Sequence, residues 1–273
     1  MKFSNKKLII SGNVFELYRY DGVILTSSLP QSRPPRNQGS NLRKKEREAS
    51  SIYRSKKRLK RLINSNVGFH KNTEGKRFKP IFVTLTFRDN VTNVDQANYE
   101  FTKFIQRFNY EIFDCRIGQL KYVVAIEFQK RGAVHYHVLF FNLPFISRIY
   151  DKVANIWGEG FVKVDTVKNN IKDVGNYLTK YMTKELADPR LCRKKSYFTS
   201  RNLFKPIVIK DQEKIEMFLN FVKPEQKSFE KHCVPDYGPA YDYEVYNIED
   251  SATVEALVDL FVEHGYFDDM IFS

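Results

Sequence analysis

The chain has 273 residues, enough for one large domain or for a domain with appendages, and its apolar content of 42% supports a buried core. No apolar run approaches the roughly 20 residues that a membrane-spanning helix needs, and no signal peptide precedes the start, so we expect no membrane partner. The three cysteines Cys115, Cys192 and Cys233 are scattered and form no CxxC pair. They predict a reducing, cytoplasmic setting and no structural zinc site.

The net charge of +13 is unevenly distributed along the chain. Residues 236–273 contain no Lys or Arg and ten Asp or Glu, which leaves the other residues with a net charge of +23. So basic a body, in a chain with 15% aromatic residues, is typical of nucleic-acid-binding proteins. The alternative is a ribosome-like or merely soluble basic protein.

The N-terminal residues predict short strands. Residues 7–27 alternate apolar and polar positions between turns at Gly12-Asn13 and Asp21-Gly22, which indicates a small β meander. Residues 29–40 contain three prolines and a glycine, a composition that favours a mobile connection.

The next segment, residues 41–64, predicts a strongly basic helix. From Arg33 to Arg61 there are twelve Lys or Arg against two Glu. One helical face carries four of the basic residues at spacings of three and four, namely Arg54, Lys57, Arg58 and Arg61. We interpret this face as a grip on nucleic-acid phosphates, against the alternative of a merely solvated surface.

Residues 80–166 predict an α+β core with a central antiparallel sheet. Residues 80–87 indicate a strand with Thr84 and Thr86 on one face. An amphipathic helix at 95–113, a β-hairpin at 121–142, a helix at 147–157 and a strand at 160–166 follow. The order strand, helix, strand, strand, helix, strand is the split βαβ, ferredoxin-like pattern, in which the first and third strands are neighbours. The apolar stripe of the first helix is predicted to be core, and it comprises Ala97, Phe101, Phe104, Ile105, Phe108 and Ile112.

The hairpin is the stretch around which we organise the site. Its apolar runs flank the turn Lys130-Arg131-Gly132, and a three-residue loop ending in glycine predicts that Gln129 pairs with Ala133. Because side chains alternate along a strand, one face is almost wholly apolar. The other face then gathers three polar side chains, Glu127, His135 and His137, with Glu127 directly opposite His135.

Two neutral imidazoles and one carboxylate form a three-ligand set with open positions for a divalent cation. The alternative is a pair of ordinary exposed strand histidines. The carboxylate in register with them favours the metal site.

Residues 170–186 predict a helix laid against the sheet. Tyr177 and Tyr181 share one helical face, and Lys180 and Lys184 repeat the same spacing. The pattern leaves open whether these tyrosines are core or whether their hydroxyls reach a ligand. Farther along, residues 196–209 predict a strand region with Arg201 and Lys205 as phosphate contacts, and residues 254–263 a helical run in the acidic tail.

Three motifs in this order resemble those of HUH endonucleases: the strand FVTLTF, Glu127 ahead of His135-Tyr136-His137, and Tyr177-Leu178-Thr179-Lys180-Tyr181. More narrowly, the chain resembles rolling-circle replication initiators of bacterial plasmids, small single-stranded DNA phages and integrated elements of Firmicutes. The resemblance implies that His135, His137 and Glu127 bind Mg²⁺ or Mn²⁺. It also implies that Tyr177 or Tyr181, or both, attack DNA with help from Lys180 or Lys184.

The expected activity is site-specific nicking and rejoining of single-stranded or hairpin DNA at a replication origin, through a 5′-phosphotyrosine that leaves a 3′-OH primer. No GxxxxGK[ST] loop occurs in the sequence, so a host helicase is expected to unwind the DNA and a host polymerase to extend the primer. The alternatives are a transposase or relaxase with the same chemistry, a hydrolase that uses water, and a non-catalytic nucleic-acid-binding regulator.

On this basis we divide the chain into four regions: a β meander (1–28), a basic linker with a DNA-binding helix (29–79), an endonuclease core (80–210), and a C-terminal region with an acidic tail (211–273).

Overall fold

The structure is a computed structural model, and it describes residues 3–25, 41–166, 196–235 and 238–250 together with Gly175, Thr179, Arg190, Thr253–Glu255 and Leu257. The chain divides into two compact units. The terminal unit comprises Met1–Lys45 and Phe204–Ser273, and the central unit comprises Glu46–Leu203. Each unit contains one five-stranded antiparallel sheet, so the predicted α+β class is confirmed.

The described part of the chain contains ten strands and four α-helices. In chain order they are β1 (Phe3–Ser11), β2 (Val14–Leu25), α1 (Asn41–Asn64), β3 (Ile81–Thr86), α2 (Val94–Phe113), β4 (Tyr122–Phe128), β5 (Val134–Phe140), α3 (Ile149–Trp157), β6 (Val162–Thr166), β7 (Tyr197–Thr199), β8 (Ile207–Ile209), α4 (Gln212–Phe221), β9 (Lys227–Cys233) and β10 (Tyr241–Asn247). None of these helices is both long enough and apolar enough to cross a bilayer.

The terminal unit joins the two ends of the chain in one sheet. Its strand order is β8-β1-β2-β10-β9, so strands from before residue 26 pair with strands from after residue 206. α4 packs on this sheet through Ile215 and Phe218, and the ring of Phe218 stacks on Phe15 at 5.1 Å between centroids. Residues 1–28 and 211–273, which we had separated, therefore contribute to one core.

One predicted turn in this unit is wrong. The chain does not reverse at Asp21-Gly22, because β2 stays extended from Val14 to Leu25. β10 pairs with β2 as far as Tyr20, and the Asp21 N–H donates to the Ala240 carbonyl at 2.9 Å. The extra residues are absorbed where the register between β1 and β2 shifts, so long-range pairing overrides the local turn signal.

The central unit has the predicted split βαβ core. Its strand order is β6-β3-β5-β4-β7, in which β3 and β5, the first and third strands of the pattern, are neighbours. Residues 196–209 do not form one strand region, since β7 belongs to this sheet and β8 to the sheet of the terminal unit.

One face of the central sheet is covered by α2 and α3. The predicted apolar face of the hairpin lies here, and all six residues of the predicted α2 stripe pack in the same cluster. Trp157 of α3 is fully buried and meets Phe104 edge-on at 5.7 Å. Asn93 caps α2, because its side-chain oxygen accepts from the backbone N–H groups of Asp95 and Gln96.

The opposite face of the central sheet, which we call the site face, carries the polar side of the hairpin. At one end of this face α1 buries Leu59 and Ile63 against Val123, Leu139 and Phe141. The predicted bounds of α1 at 41–64 are confirmed. The predicted connection at 29–40 lies outside the described residues, as does most of the predicted helix at 254–263, of which the described positions are helical.

Candidate metal centre

Backbone register brings Glu127, His135 and His137 together on the site face. Glu127 pairs with His135 across the hairpin, as predicted, and β3 places Thr84 opposite His137 and Thr86 opposite His135. One ligand atom from each of the two histidines and the glutamate lies within 4.8 Å of the others. The side chains that the sequence singles out as metal ligands therefore form one cluster.

The hairpin turn sets this register. The Gln129 N–H donates to the Ala133 carbonyl at 2.9 Å, and the Gly132 N–H donates to the Gln129 carbonyl at 2.8 Å. Gly132 has φ of +92°, a conformation that suits glycine because it has no Cβ. Arg131 also reaches across to β3, where its guanidinium donates to the carbonyls of Phe87 and Arg88. The turn is thus tied to the strand beside the histidines.

His137 is held on three sides. Its Nε2 lies 2.5 Å from the Glu127 Oε2, and its Nδ1 lies 3.3 Å from the Thr84 hydroxyl. Its ring stacks on Phe82 with 5.6 Å between centroids and 17° between planes. If Nε2 binds a cation, Nδ1–H is left to donate to Thr84, the kind of outer contact that fixes the tautomer of a metal-binding histidine.

His135 is the least satisfied member of the cluster. Its Nε2 is buried and has no hydrogen-bond partner among the described residues. Burial, and then the neighbouring His137, lower the pKa of His135 to about 4, although Glu127 acts in the opposite direction. The imidazole is therefore neutral at physiological pH, as metal ligation requires.

The donor set fits a divalent cation. A carboxylate and two imidazoles leave further coordination positions to water or substrate. Imidazole nitrogen is a softer donor than the oxygen ligands that typically bind Mg²⁺, so the set favours Mn²⁺ of the two predicted ions. The orphaned nitrogen of buried His135 is consistent with a missing ligand. Metal binding by this cluster stays a prediction.

The predicted nucleophile region is described at only two residues. Tyr177, Lys180, Tyr181 and Lys184 lie outside the described residues, so their predicted roles stay predictions. Gly175 and Thr179 are both buried and helical.

Gly175 makes a close contact with the C-terminal turn of α1. Its N–H donates to the Asn64 Oδ1 at 2.6 Å, and a Cβ at this position would lie 2.4 Å from that oxygen and 2.6 Å from the Lys60 carbonyl oxygen. Only glycine allows this approach. Sequence reasoning missed the contact, because the two residues are 111 positions apart.

The predicted phosphate-binding residues lie on the side of α1 away from its buried residues. Arg54 and Arg58 are exposed, while Lys57 and Arg61 are half-buried and make further interactions. Arg58 also hydrogen-bonds the phenol of Tyr197 on β7. Burial is the larger effect there and raises the pKa of Tyr197, against the opposing effect of the Arg58 charge. Arg201 is exposed in the turn after β7, and its predicted phosphate contact stays a prediction.

Comparison with known proteins agrees with these motifs. The sequence model of a family of replication-associated proteins of the ORF2 type matches residues 80–186, the stretch that holds the cluster and the predicted nucleophiles. The chain is also 26% identical over 127 residues to the phasyl DNA replicon protein arp of Escherichia coli. That match covers 38% of this chain and 42% of the relative. No solved structure matches the chain. Together the two similarities support a replication-associated protein.

Proposed function

We propose that the protein is a rolling-circle replication initiator, an HUH-type endonuclease that nicks and rejoins single-stranded DNA at an origin. The observation that carries the proposal is the convergence of Glu127, His135 and His137 within 4.8 Å on one sheet face. The replication-associated family match over residues 80–186 supports it, since that stretch contains all three residues.

The three clustered side chains would hold Mn²⁺ or Mg²⁺. The chemistry that a bound divalent cation supplies is Lewis-acid polarisation of a phosphate oxygen. Thr84 and Phe82 keep the ring of His137 in position through a hydrogen bond and a stacking contact, and the neutral state of His135 keeps its lone pair available. Such an arrangement binds and orients a phosphodiester without contributing a nucleophile of its own.

The proposed nucleophile is the phenol of Tyr177 or Tyr181. Its oxygen attacks phosphorus, a bond from phosphorus to tyrosine forms, and the bond from phosphorus to the 3′-oxygen breaks. The products are a 5′-phosphotyrosine and a 3′-oxygen that takes up a proton to become the primer hydroxyl. A free phenol has a pKa of about 10, so it needs neighbouring positive charge to lose its proton at neutral pH. Lys180 and Lys184 are the proposed sources of that charge.

The wider setting follows from this chemistry. The basic face of α1 would contact phosphates near the origin, and a host helicase and polymerase in the bacterial cytoplasm would continue replication. The alignment covers 42% of the Escherichia coli relative, so these partners are part of the proposal. A phosphotyrosine preserves the energy of the phosphodiester, and the 3′-hydroxyl can therefore reverse the reaction and reseal the strand without ATP.

The test is a denaturing gel of the full chain with end-labelled single-stranded DNA from the native replicon and Mn²⁺. We expect a covalent adduct that survives SDS, reduced in Tyr177→Phe or Tyr181→Phe and absent in the double variant. An adduct in the double variant would refute the tyrosine assignment. Cleavage with no protein-linked DNA would indicate a hydrolase that uses water, and binding without either product would indicate a regulator.

A further inference from the structure

An exposed phenylalanine lies on the site face beside the metal cluster. β6 is the edge strand next to β3, and its register with β3 places Lys163 opposite Thr84. The Thr86 N–H donates to the Phe161 carbonyl at 2.9 Å, which extends the same pairing by one residue. Phe161, Thr86, His135 and Glu127 thus form one row across the sheet.

The alternation along β6 sets which way Phe161 faces. Val162 is buried in the core beneath the sheet and Val164 packs against that core, so Phe161 and Lys163 lie on the site face. Phe161 is 63% exposed. It therefore contributes little to folding, although it is a large aromatic side chain.

The backbone that carries Phe161 is closely held. A Cβ on the preceding residue, Gly160, would lie 2.4 Å from both the Arg88 nitrogen and the Thr86 oxygen. The indole of Trp157 donates to the same Thr86 carbonyl at 3.1 Å. The ring is thus presented to solvent from a fixed strand, so little conformational freedom would be lost when a ligand stacks on it.

The charges beside Phe161 suit a nucleic-acid strand. The Lys163 side chain is 62% exposed and pairs with Asp165 at 2.8 Å, an exposed ion pair that a phosphate can replace at small cost. Adjacent strands are about 4.8 Å apart, which puts Phe161 roughly 10 Å from His135 and within a short stretch of backbone from a phosphate at the cluster. α1 occupies the end of the site face around Val123 and Phe141, away from this row.

We propose that Phe161 is a stacking platform for an unpaired base of the DNA strand held at the metal cluster, with Lys163 contacting an adjacent phosphate. The inference rests on the proposed function, because that function supplies the single-stranded ligand. Stacking on an aromatic ring is tolerant of sequence, since every base has a π-face. Phe161 would therefore hold the strand in place and leave the choice of origin to other contacts.

The test compares two fluorescent 20-mers, oligo(dT) and a strand of abasic residues with the same phosphates, by anisotropy without added metal. Phe161→Ala is expected to weaken binding of oligo(dT) by about 5- to 100-fold, the range of one lost base stack, and to leave the abasic strand unaffected. Phe161→Trp should bind both strands at least as well as the unmodified chain. Phe145→Ala is the matched control, because Phe145 is 97% exposed on the same unit, and it should bind as the unmodified chain does.

Unchanged oligo(dT) binding by Phe161→Ala, an equal loss on both strands, or an equal loss in Phe145→Ala would overturn the inference. The adduct assay separates this outcome from failure of the proposed function. If the unmodified chain forms the tyrosine adduct while Phe161→Ala binds oligo(dT) normally, only the stacking inference fails. If no adduct forms while Phe161→Ala loses oligo(dT) binding selectively, only the nicking proposal fails.

Discussion

Replacing His70 with Gln tests how the segment after α1 is attached to the central sheet. His70 is 4% exposed, its Nε2 lies 2.8 Å from the Asn66 Oδ1, and its Nδ1 lies 3.0 Å from the Lys121 Nζ. Nε2–H therefore donates to Asn66, and Nδ1 accepts from the Lys121 ammonium. Burial, and then the charge of Lys121, lower the pKa of His70 from 6.5 to about 3. The ring is neutral in the folded chain.

The lowered pKa makes the free energy of unfolding depend on pH. Below pH 6.5 the unfolded chain binds a proton at His70 that the folded chain does not bind until about pH 3. Stability is therefore lost as pH falls through this window, by up to about 1.4 kcal/mol per pH unit. From pH 7 to pH 5 the loss from this one group is about 2 kcal/mol, because the folded ring is still neutral at pH 5.

The measurement is urea unfolding at pH 7 and pH 5, followed by the fluorescence of Trp157, the single tryptophan, which is buried in the central unit. His70→Gln keeps a donor and an acceptor but cannot titrate. The variant should lose about 2 kcal/mol less than the unmodified chain over this interval. An equal pH dependence in both proteins would show that His70 is not held neutral, and would refute the assigned contacts.

Three further predictions concern the site. Thr84→Val removes the hydroxyl that orients His137 and should weaken Mn²⁺ binding about 10- to 100-fold by calorimetry; unchanged affinity would contradict the orienting contact. Gly175→Ala places a methyl group against Asn64 and should cost about 1–3 kcal/mol in the urea unfolding free energy and lower the adduct yield, whereas unaltered stability would contradict the close approach. Arg54→Gln should reduce the slope of log affinity for single-stranded DNA against log salt by about 0.7, and an identical slope would exclude a phosphate contact there.

Local patterns predict much of the central unit. The loop Lys130-Arg131-Gly132 and the two-residue period of the flanking strands suffice to place Glu127 opposite His135, because loop length sets hairpin register. The neighbouring position of β3 follows from the order of strands and helices alone. Both are consequences of short-range geometry, and both are confirmed.

Contacts between distant parts of the chain are what the sequence does not reveal. The expected turn at Asp21-Gly22 is wrong because β10, more than 200 residues later, pairs with β2 and keeps it extended. The contact of Asn64 with Gly175 and the neutral His70 beside Lys121 likewise depend on side chains that meet only after the sheet is assembled. Phe161 gave a weak signal, an aromatic residue just before a short strand, and only its exposure in the row of His135 makes it informative.

The central claim is that Glu127, His135 and His137 hold a cation on which tyrosine–DNA linkage depends. It is tested most directly by the yield of SDS-stable adduct as Mn²⁺ is titrated into chelator-treated full chain with single-stranded origin DNA. We predict no adduct in chelator, a saturable rise with Mn²⁺ in the unmodified chain, and none in His135→Ala although that variant still binds the DNA. Full adduct formation in chelator, or an unchanged Mn²⁺ titration in His135→Ala, would contradict the account.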